Sequence, residues 1–365
     1  MSSSNAPPAS ASPSETQQVG VIRGNGIGPE ITEAAQYVLE ATGLPIEWIP
    51  IPIADEAFER HEHPLPPESV ASLREVRVTL KAPLIVNKLQ GRITCRQPDG
   101  SEMSYPSLNN AIRRELALFV NPRPIRGFPG ISEKYEALDL VTMREITEDI
   151  YFGREHQIGD LAAEAVKRIT REASLRVARY AFDYAAANGR RRVTCLHKAN
   201  VLNMTDGLFL RCFHEVAAEF PDVEADDLMI DAACFHIIRS PERFDVVVCP
   251  NQYGDIFSDL AAGLAGSLGL APGANIGPAC AVFEASHGAA PDIAGKGLAN
   301  PAALILSGAL MLRHLGHADR ADAVEEAVRS ALAEPTLRTR DLGGPAGTME
   351  CARGIAERVR QPGGG

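Results

Sequence analysis

Apolar residues follow two rhythms along this chain: short continuous runs, and longer stretches spaced for one face of a helix, separated by glycine, proline and small polar residues. The runs Val76 to Leu80, Leu138 to Arg144, Arg192 to His197 and Phe244 to Val248 read as strands. The stretches Asp160 to Asn188, Asp206 to Phe220, Pro301 to Leu315 and Ala318 to Ala333 read as helices. Near the start, "QVGVIRGNGIGPEITEAAQYVLEATG" reads as a strand, a glycine loop and a helix that closes on Gly43. This alternation predicts an α/β protein with helices over a sheet.

Length adds that the 365 residues exceed one ordinary core and predict two lobes. At 45% hydrophobic and 23% charged residues, the composition is that of a soluble globular protein. The net charge of -11 argues against general affinity for nucleic acid or an anionic membrane, while a local basic pocket remains open to an acidic small molecule. Seven cysteines without CxxC or framework spacing read as thiols of a reducing compartment, with the cytoplasm as the simplest address. Residues 1–18 are rich in Ser, Pro and Ala, lack a signal-peptide core, and are expected to be a disordered tail.

Four constellations carry candidate chemistry. In "PNQYGDIFSDL", Asp255 and Asp259 stand one helical turn apart just beyond an apolar run, as a solvated helix face or as ligands for a cation. In "SLNNAIRRELALFVNPRP" and "MREITEDIY", Arg113, Arg123 and Arg144 would suit a di- or tricarboxylate if folding brought them together, since each planar fork binds a carboxylate bidentately. Tyr151 and Lys198 add acid and base groups, and Asp231 is a third oxygen donor for Mg²⁺ or Mn²⁺. In "FEASHGAAPDIAGKGLANP", small residues permit close backbone approach to a ligand, and Glu284, His287, Asp292 and Asn300 offer polar contacts. The glycine loop "GNGIGPE" has GxGxG spacing, which favours a tight turn with positive φ over a pyrophosphate cradle.

Taken in order from about Val19 to Val359, these stretches resemble the β-decarboxylating dehydrogenases, the family of isocitrate and 3-isopropylmalate dehydrogenases. The chain is most similar to the NAD-dependent isocitrate dehydrogenases, because Ser107 and Asn109 match their "SxN". The resemblance implies the family's own two-domain α/β fold rather than a Rossmann fold. A large NAD-binding domain would come from 19–118 and 266–365, and a small domain from 119–265, with a dimer clasp at about 149–170. It implies that Arg113, Arg123 and Arg144 bind substrate carboxylates, that Ser107 and Asn109 contact the distinguishing substituent, and that Tyr151 and Lys198 form the catalytic pair. Asp255 and Asp259 would be metal ligands, joined by Asp231 from the neighbouring subunit, so a homodimer with shared sites follows. Glu284, His287, Gly288, Asp292, Ile293, Asn300 and Asp341 would lie on the cofactor side, and Asp292 with Ile293 favours NAD over NADP.

The implied reaction is metal-dependent oxidative decarboxylation of a 2-hydroxy acid, first isocitrate to 2-oxoglutarate. Relatives have a much shorter loop between the matches of Lys81 and Ser107, and here Val86 or Asn87 replaces a threonine expected near the nicotinamide. This insertion, carrying Lys88, Arg92 and Arg96, reads either as a surface hairpin turning at "PDG" or as a reshaped specificity pocket for an isocitrate analogue such as 3-phosphonomethylmalate. A non-catalytic regulatory subunit is the reading from another class.

Overall fold

The computed structural model describes residues 16–85, 92–96 and 100–361. They form two compact units. One comprises the described residues of Met1–Ala117 with Phe128–Glu133 and Gly266–Gly365, and the other comprises Leu118–Gly127 and Lys134–Ala265.

In the first unit, the strand Gln17–Ile22 pairs in parallel with both Ile46–Pro50 and Val78–Lys81. Val78–Lys81 pairs in parallel with Ala281–Ala285, which pairs antiparallel with Pro272–Ile276. The strand expected from Val76 starts two residues later, because the helix Pro67–Val76 runs on and Arg77, at φ +66°, turns the chain. Glycines at 24 and 26 take φ +66° and +61°, and a Cβ there would lie 2.1 Å and 2.0 Å from the carbonyl oxygens of Pro83 and Ala289. The loop is thus a packed turn that leads into the helix Gly28–Glu40, whose first turn contains Pro29. That helix packs against Ala302–His314 and Thr348–Arg360, which both pack against Ala318–Ala333, around a core containing Val38, Leu39, Leu304, Ile305, Val324, Val328 and Ile355, all fully buried.

The second unit has the strand order Glu224–Met229, Arg192–His197, Val246–Cys249, Asp139–Glu145, Val120–Arg126, parallel except for the last pair. Val246–Cys249 is buried at every position, as a parallel strand covered on both faces should be. The helix expected from Asp160 starts only at Arg171, capped by the hydroxyl of Thr170, which accepts the Ala173 N–H at 3.3 Å. Ahead of it, Glu155–Ile158 and Ala162–Ala165 pair as an exposed antiparallel hairpin. Tertiary pairing there overrides the helical preference of "AAEA".

The insertion before Ser107 forms a hairpin, with Ile93–Arg96 antiparallel to Glu102–Tyr105. Val86, Asn87 and Lys88, and the Pro98 and Asp99 of the expected turn, lie outside the described residues. All seven cysteines are free thiols. Among the described residues no helix is long and apolar enough to cross a membrane.

Candidate active site

The acidic pair sits on the helix Asn251–Ala265, which leaves the carboxyl end of the buried strand Val246–Cys249 after Pro250. Neighbouring strands aim two arginines at it. Arg123, from Val120–Arg126, places NH2 3.4 Å from Asp255 Oδ1 and NH1 3.3 Å from Asp259 Oδ1. Arg144, from Asp139–Glu145, forms an ion pair with the same oxygen of Asp255. The Tyr151 hydroxyl donates to Asp255 Oδ2 at 3.3 Å, and the Arg144 guanidinium lies 5.7 Å from the Tyr151 ring centroid.

Three buried polar residues absent from the sequence reading orient these guanidiniums. Nε of Arg123 donates to Asn121 Oδ1 at 2.6 Å and its NH1 to Ser258 Oγ at 2.7 Å; Nε of Arg144 donates to Asn251 Oδ1 at 3.0 Å. Their signal was present: Asn121 is two residues from Arg123 on one strand face, and Asn251 is four from Asp255 on one helix face. Gly254 lets the helix approach, since a Cβ there would stand 2.6 Å from Cγ of Arg144.

Burial raises the carboxyl pKa of Asp259, with Arg123 pulling the other way. Burial, helped by the charge of Asp255, also raises the Tyr151 phenol, which therefore holds its proton at neutral pH. Two half-exposed carboxylates one turn apart, one of them poorly compensated, fit a hard divalent cation, and a two-residue donor set leaves positions for substrate oxygens. Among the described residues no three His, Cys, Asp or Glu side chains converge as a metal site.

Asp231 is not beside that pair. It forms an ion pair with Lys198, Nζ to Oδ1 at 2.6 Å, and the lysine holds its carboxyl below the usual range. No hydrogen bond or ion pair joins either residue to Asp255 or Asp259 within this chain among the described residues.

A second group of candidates lies in the other unit, on the helix Leu108–Glu115. Ser107 caps that helix by accepting the Asn110 N–H at 3.2 Å, which leaves its hydroxyl proton to donate. Asn109 has a buried side-chain oxygen without a hydrogen-bond partner among the described residues. Arg113 is buried, its Nε donating to Asn275 Oδ1 at 3.0 Å and its NH2 3.5 Å from Glu284 Oε1.

Glu284, expected on the cofactor side, is enclosed by Lys81, Arg113 and Asn275, the last donating at 2.6 Å. Burial alone would raise its carboxyl, but the Lys81 ammonium and the Arg113 guanidinium overrule it and hold the pKa down at about 2. Nothing local in the sequence marks Lys81 as this partner, since it stands 203 positions from Glu284.

The rest of the cofactor set follows in the same unit. His287 has its Nδ1 2.9 Å from the Gly288 carbonyl, while its Nε2 is buried without a partner among the described residues; burial lowers the ring pKa. A Cβ on Gly288 would meet nothing within 4 Å, and Asp292 is exposed, its backbone carbonyl accepting Lys296 Nζ at 2.8 Å. Ile293 packs against the core. An orphaned ring nitrogen, an open glycine and an exposed carboxylate fit a dinucleotide's adenosine end. Asp341, by contrast, is consumed internally, accepting from Ser267 at 2.6 Å, Asn300 at 3.0 Å and Thr339 at 2.6 Å. It anchors Asn300, whose Oδ1 accepts the Ala302 N–H at 3.0 Å.

The family described as "Isocitrate/isopropylmalate dehydrogenase" matches residues 18–357. The mitochondrial isocitrate dehydrogenase [NAD] catalytic subunit 5 of Arabidopsis thaliana is 46% identical over 337 residues, 92% of this chain and 87% of that protein. The 3-isopropylmalate dehydrogenase of Archaeoglobus fulgidus is 45% identical over 340 residues, 93% of this chain and 98% of that protein. A crystal structure of isocitrate dehydrogenase from Methylococcus capsulatus matches with a TM-score of 0.87 and 44% identity, over 94% of this chain and 100% of that one. Relatives named for two different substrates match almost equally, so what they share is the reaction class. The chain belongs to the isocitrate/isopropylmalate dehydrogenase family and is an enzyme of the NAD-dependent β-decarboxylating type.

Proposed function

We propose that this enzyme converts isocitrate to 2-oxoglutarate with NAD and Mg²⁺ or Mn²⁺, as a homodimer with shared active sites. The observation that carries the substrate is the polar pair at the head of the helix Leu108–Glu115: Ser107 keeps a hydroxyl proton to donate, and Asn109, half-buried, carries an amide NH₂ that can donate as well. These groups suit a substituent ending in a carboxylate. An isopropyl group would accept neither hydrogen bond, forfeiting roughly 1.5–3 kcal/mol for each hydrogen bond that a charged carboxylate would have accepted.

In this reading Arg113, Arg123 and Arg144 bind the substrate carboxylates, and Asp255 and Asp259 hold the cation with Asp231 of the partner subunit. When bound, NAD would accept hydride from C2 and the cation would polarise the substrate hydroxyl. Lys198 of the partner subunit takes up the hydroxyl proton, directly or through water, and Tyr151, protonated at neutral pH, delivers a proton to C3 after CO₂ leaves. Asp292 accepts hydrogen bonds from the ribose hydroxyls and repels a 2′-phosphate. The exposed apolar side chains Leu161 (98%) and Phe235 (60%), both on the unit carrying Lys198, support a self-interface.

The phosphonate reading ranks second because Arg92 donates to Ser104 Oγ at 2.9 Å and to the Ser104 carbonyl at 2.8 Å, contacts that staple the hairpin itself. The regulatory-subunit reading is disfavoured because Tyr151, Lys198, Asp231, Asp255 and Asp259 are all present. Initial rates of the purified chain on isocitrate, 3-isopropylmalate, homoisocitrate, tartrate, D-malate and 3-phosphonomethylmalate, with NAD and Mn²⁺, test all three readings. Isocitrate should lead; no turnover of any of them would return the chain to a regulatory role.

A further inference from the structure

Lys167 belongs to none of the groups above. It lies between the exposed hairpin strand Ala162–Ala165 and the helix Arg171–Ala187, yet its side chain is mostly buried. Its ammonium ends between two fully buried carboxylates, 2.6 Å from Asp206 Oδ1 and 3.4 Å from Asp149 Oδ1, and 4.4 Å from the Tyr253 ring centroid. Buried carboxylates persist as charges only when paired and hydrogen-bonded, and Lys167 is the cation that both share.

Each carboxylate also holds a piece of the site. Asp206 Oδ2 accepts the backbone N–H of Lys198 at 2.7 Å. Asp149 accepts the N–H of Ile150 at 2.8 Å and, through its other oxygen, that of Gln252 at 2.9 Å. Ile150 opens the turn that bears Tyr151, and Gln252 lies in the first turn of the helix that bears Asp255 and Asp259. Asp149 itself stands at φ +73°, which a non-glycine residue keeps only where its surroundings enforce it.

We propose that Lys167 is a positioning residue for the reaction: by bridging Asp149 and Asp206, its ammonium holds both the turn that presents Tyr151 and the loop that presents Lys198. This rests on the roles given to those two residues under Proposed function. In a dimer with shared sites, one ammonium then joins the proton donor of one active site to the base delivered to the other.

Full-length Lys167→Met tests this. With isocitrate, NAD and Mn²⁺, kcat should fall about a hundredfold with KM within about threefold, since a displacement on the order of 1 Å at a reacting group has that effect. Amide hydrogen exchange should quicken about tenfold at Ile150 and Lys198 together, while the core strand Val246–Cys249 keeps its protection. If Lys167→Met does not fold, Lys167→Arg, which keeps the charge but not its placement, should show the same pattern at about a tenfold loss of kcat. Unchanged kcat, a raised KM with unchanged kcat, faster exchange spread evenly through the core, or exchange unaltered at either amide overturns the proposal. Should the wild-type chain turn over none of the substrates named above, that reading fails by itself, and the exchange pattern alone decides the role of Lys167.

Discussion

The Tyr151 hydroxyl donates to Asp255 Oδ2 at 3.3 Å, so the candidate proton donor and a candidate metal ligand meet without a bridging residue. A phenol held protonated beside a carboxylate is suited to proton delivery. Tyr151→Phe should lower kcat by about a hundredfold or more while leaving KM for isocitrate near the wild-type value. Steady-state kinetics decide; wild-type turnover removes Tyr151 from the mechanism.

Gly254 bears on Arg144 in a different way. An alanine Cβ would fall 2.6 Å from Cγ and 2.7 Å from Cβ of that arginine, so the side chain must move. Its Asn251 contact and its Asp255 ion pair would be disturbed together. Gly254→Ala should raise KM for isocitrate roughly tenfold or more, the effect of losing one charge-assisted hydrogen bond. A KM equal to wild type in a folded variant contradicts this.

Glu145 predicts a pH dependence of stability. Burial pushes its carboxyl up from 4.5 to about 7, against hydrogen bonds from Thr147. The folded state then binds the proton more tightly than the unfolded chain. The cost is absent below about 4.5, grows as pH rises and is complete above about 7, reaching roughly 3 kcal/mol. Denaturant unfolding at about pH 5 and about pH 8 should show a smaller fall in stability for Glu145→Gln than for wild type. Equal falls would mean that Glu145 does not carry the effect.

Cofactor choice is testable at Asp292 and Ile293. Replacing them with Lys and Tyr removes the carboxylate and adds a cation where a 2′-phosphate would bind. The ratio of kcat/KM for NAD to that for NADP should fall by about tenfold or more. An unchanged ratio would refute the ribose contact.

What could be read directly from the sequence was local and periodic. The offset of four between Asp255 and Asp259 needed only a helix, and "VVVC" needed only a buried parallel strand. What escaped depends on partners brought together by folding. Glu284 stands in the strand Ala281–Ala285, just ahead of a glycine-rich segment that suggests a cofactor ligand, and its carboxylate is taken up by Lys81 and Arg113, far away in sequence. Lys167 looked like one more residue of a long helix, because "LAAEAVKR" has helical composition; the hairpin that displaces the helix start is decided by pairing across Glu155–Ile158 and Ala162–Ala165. Asp341 was legible as a nearby carboxylate, whereas its three internal donors were not.

The central claim is a metal- and NAD-dependent enzyme whose pocket selects a carboxylate-bearing substituent through Ser107 and Asn109. The most direct measurement is kcat/KM for isocitrate against 3-isopropylmalate, followed as NADH formation by the purified chain with Mn²⁺ and again after chelation. Isocitrate should be preferred by about a hundredfold or more, with turnover abolished by the chelator. Equal or better turnover of 3-isopropylmalate, or undiminished activity without the cation, would contradict it.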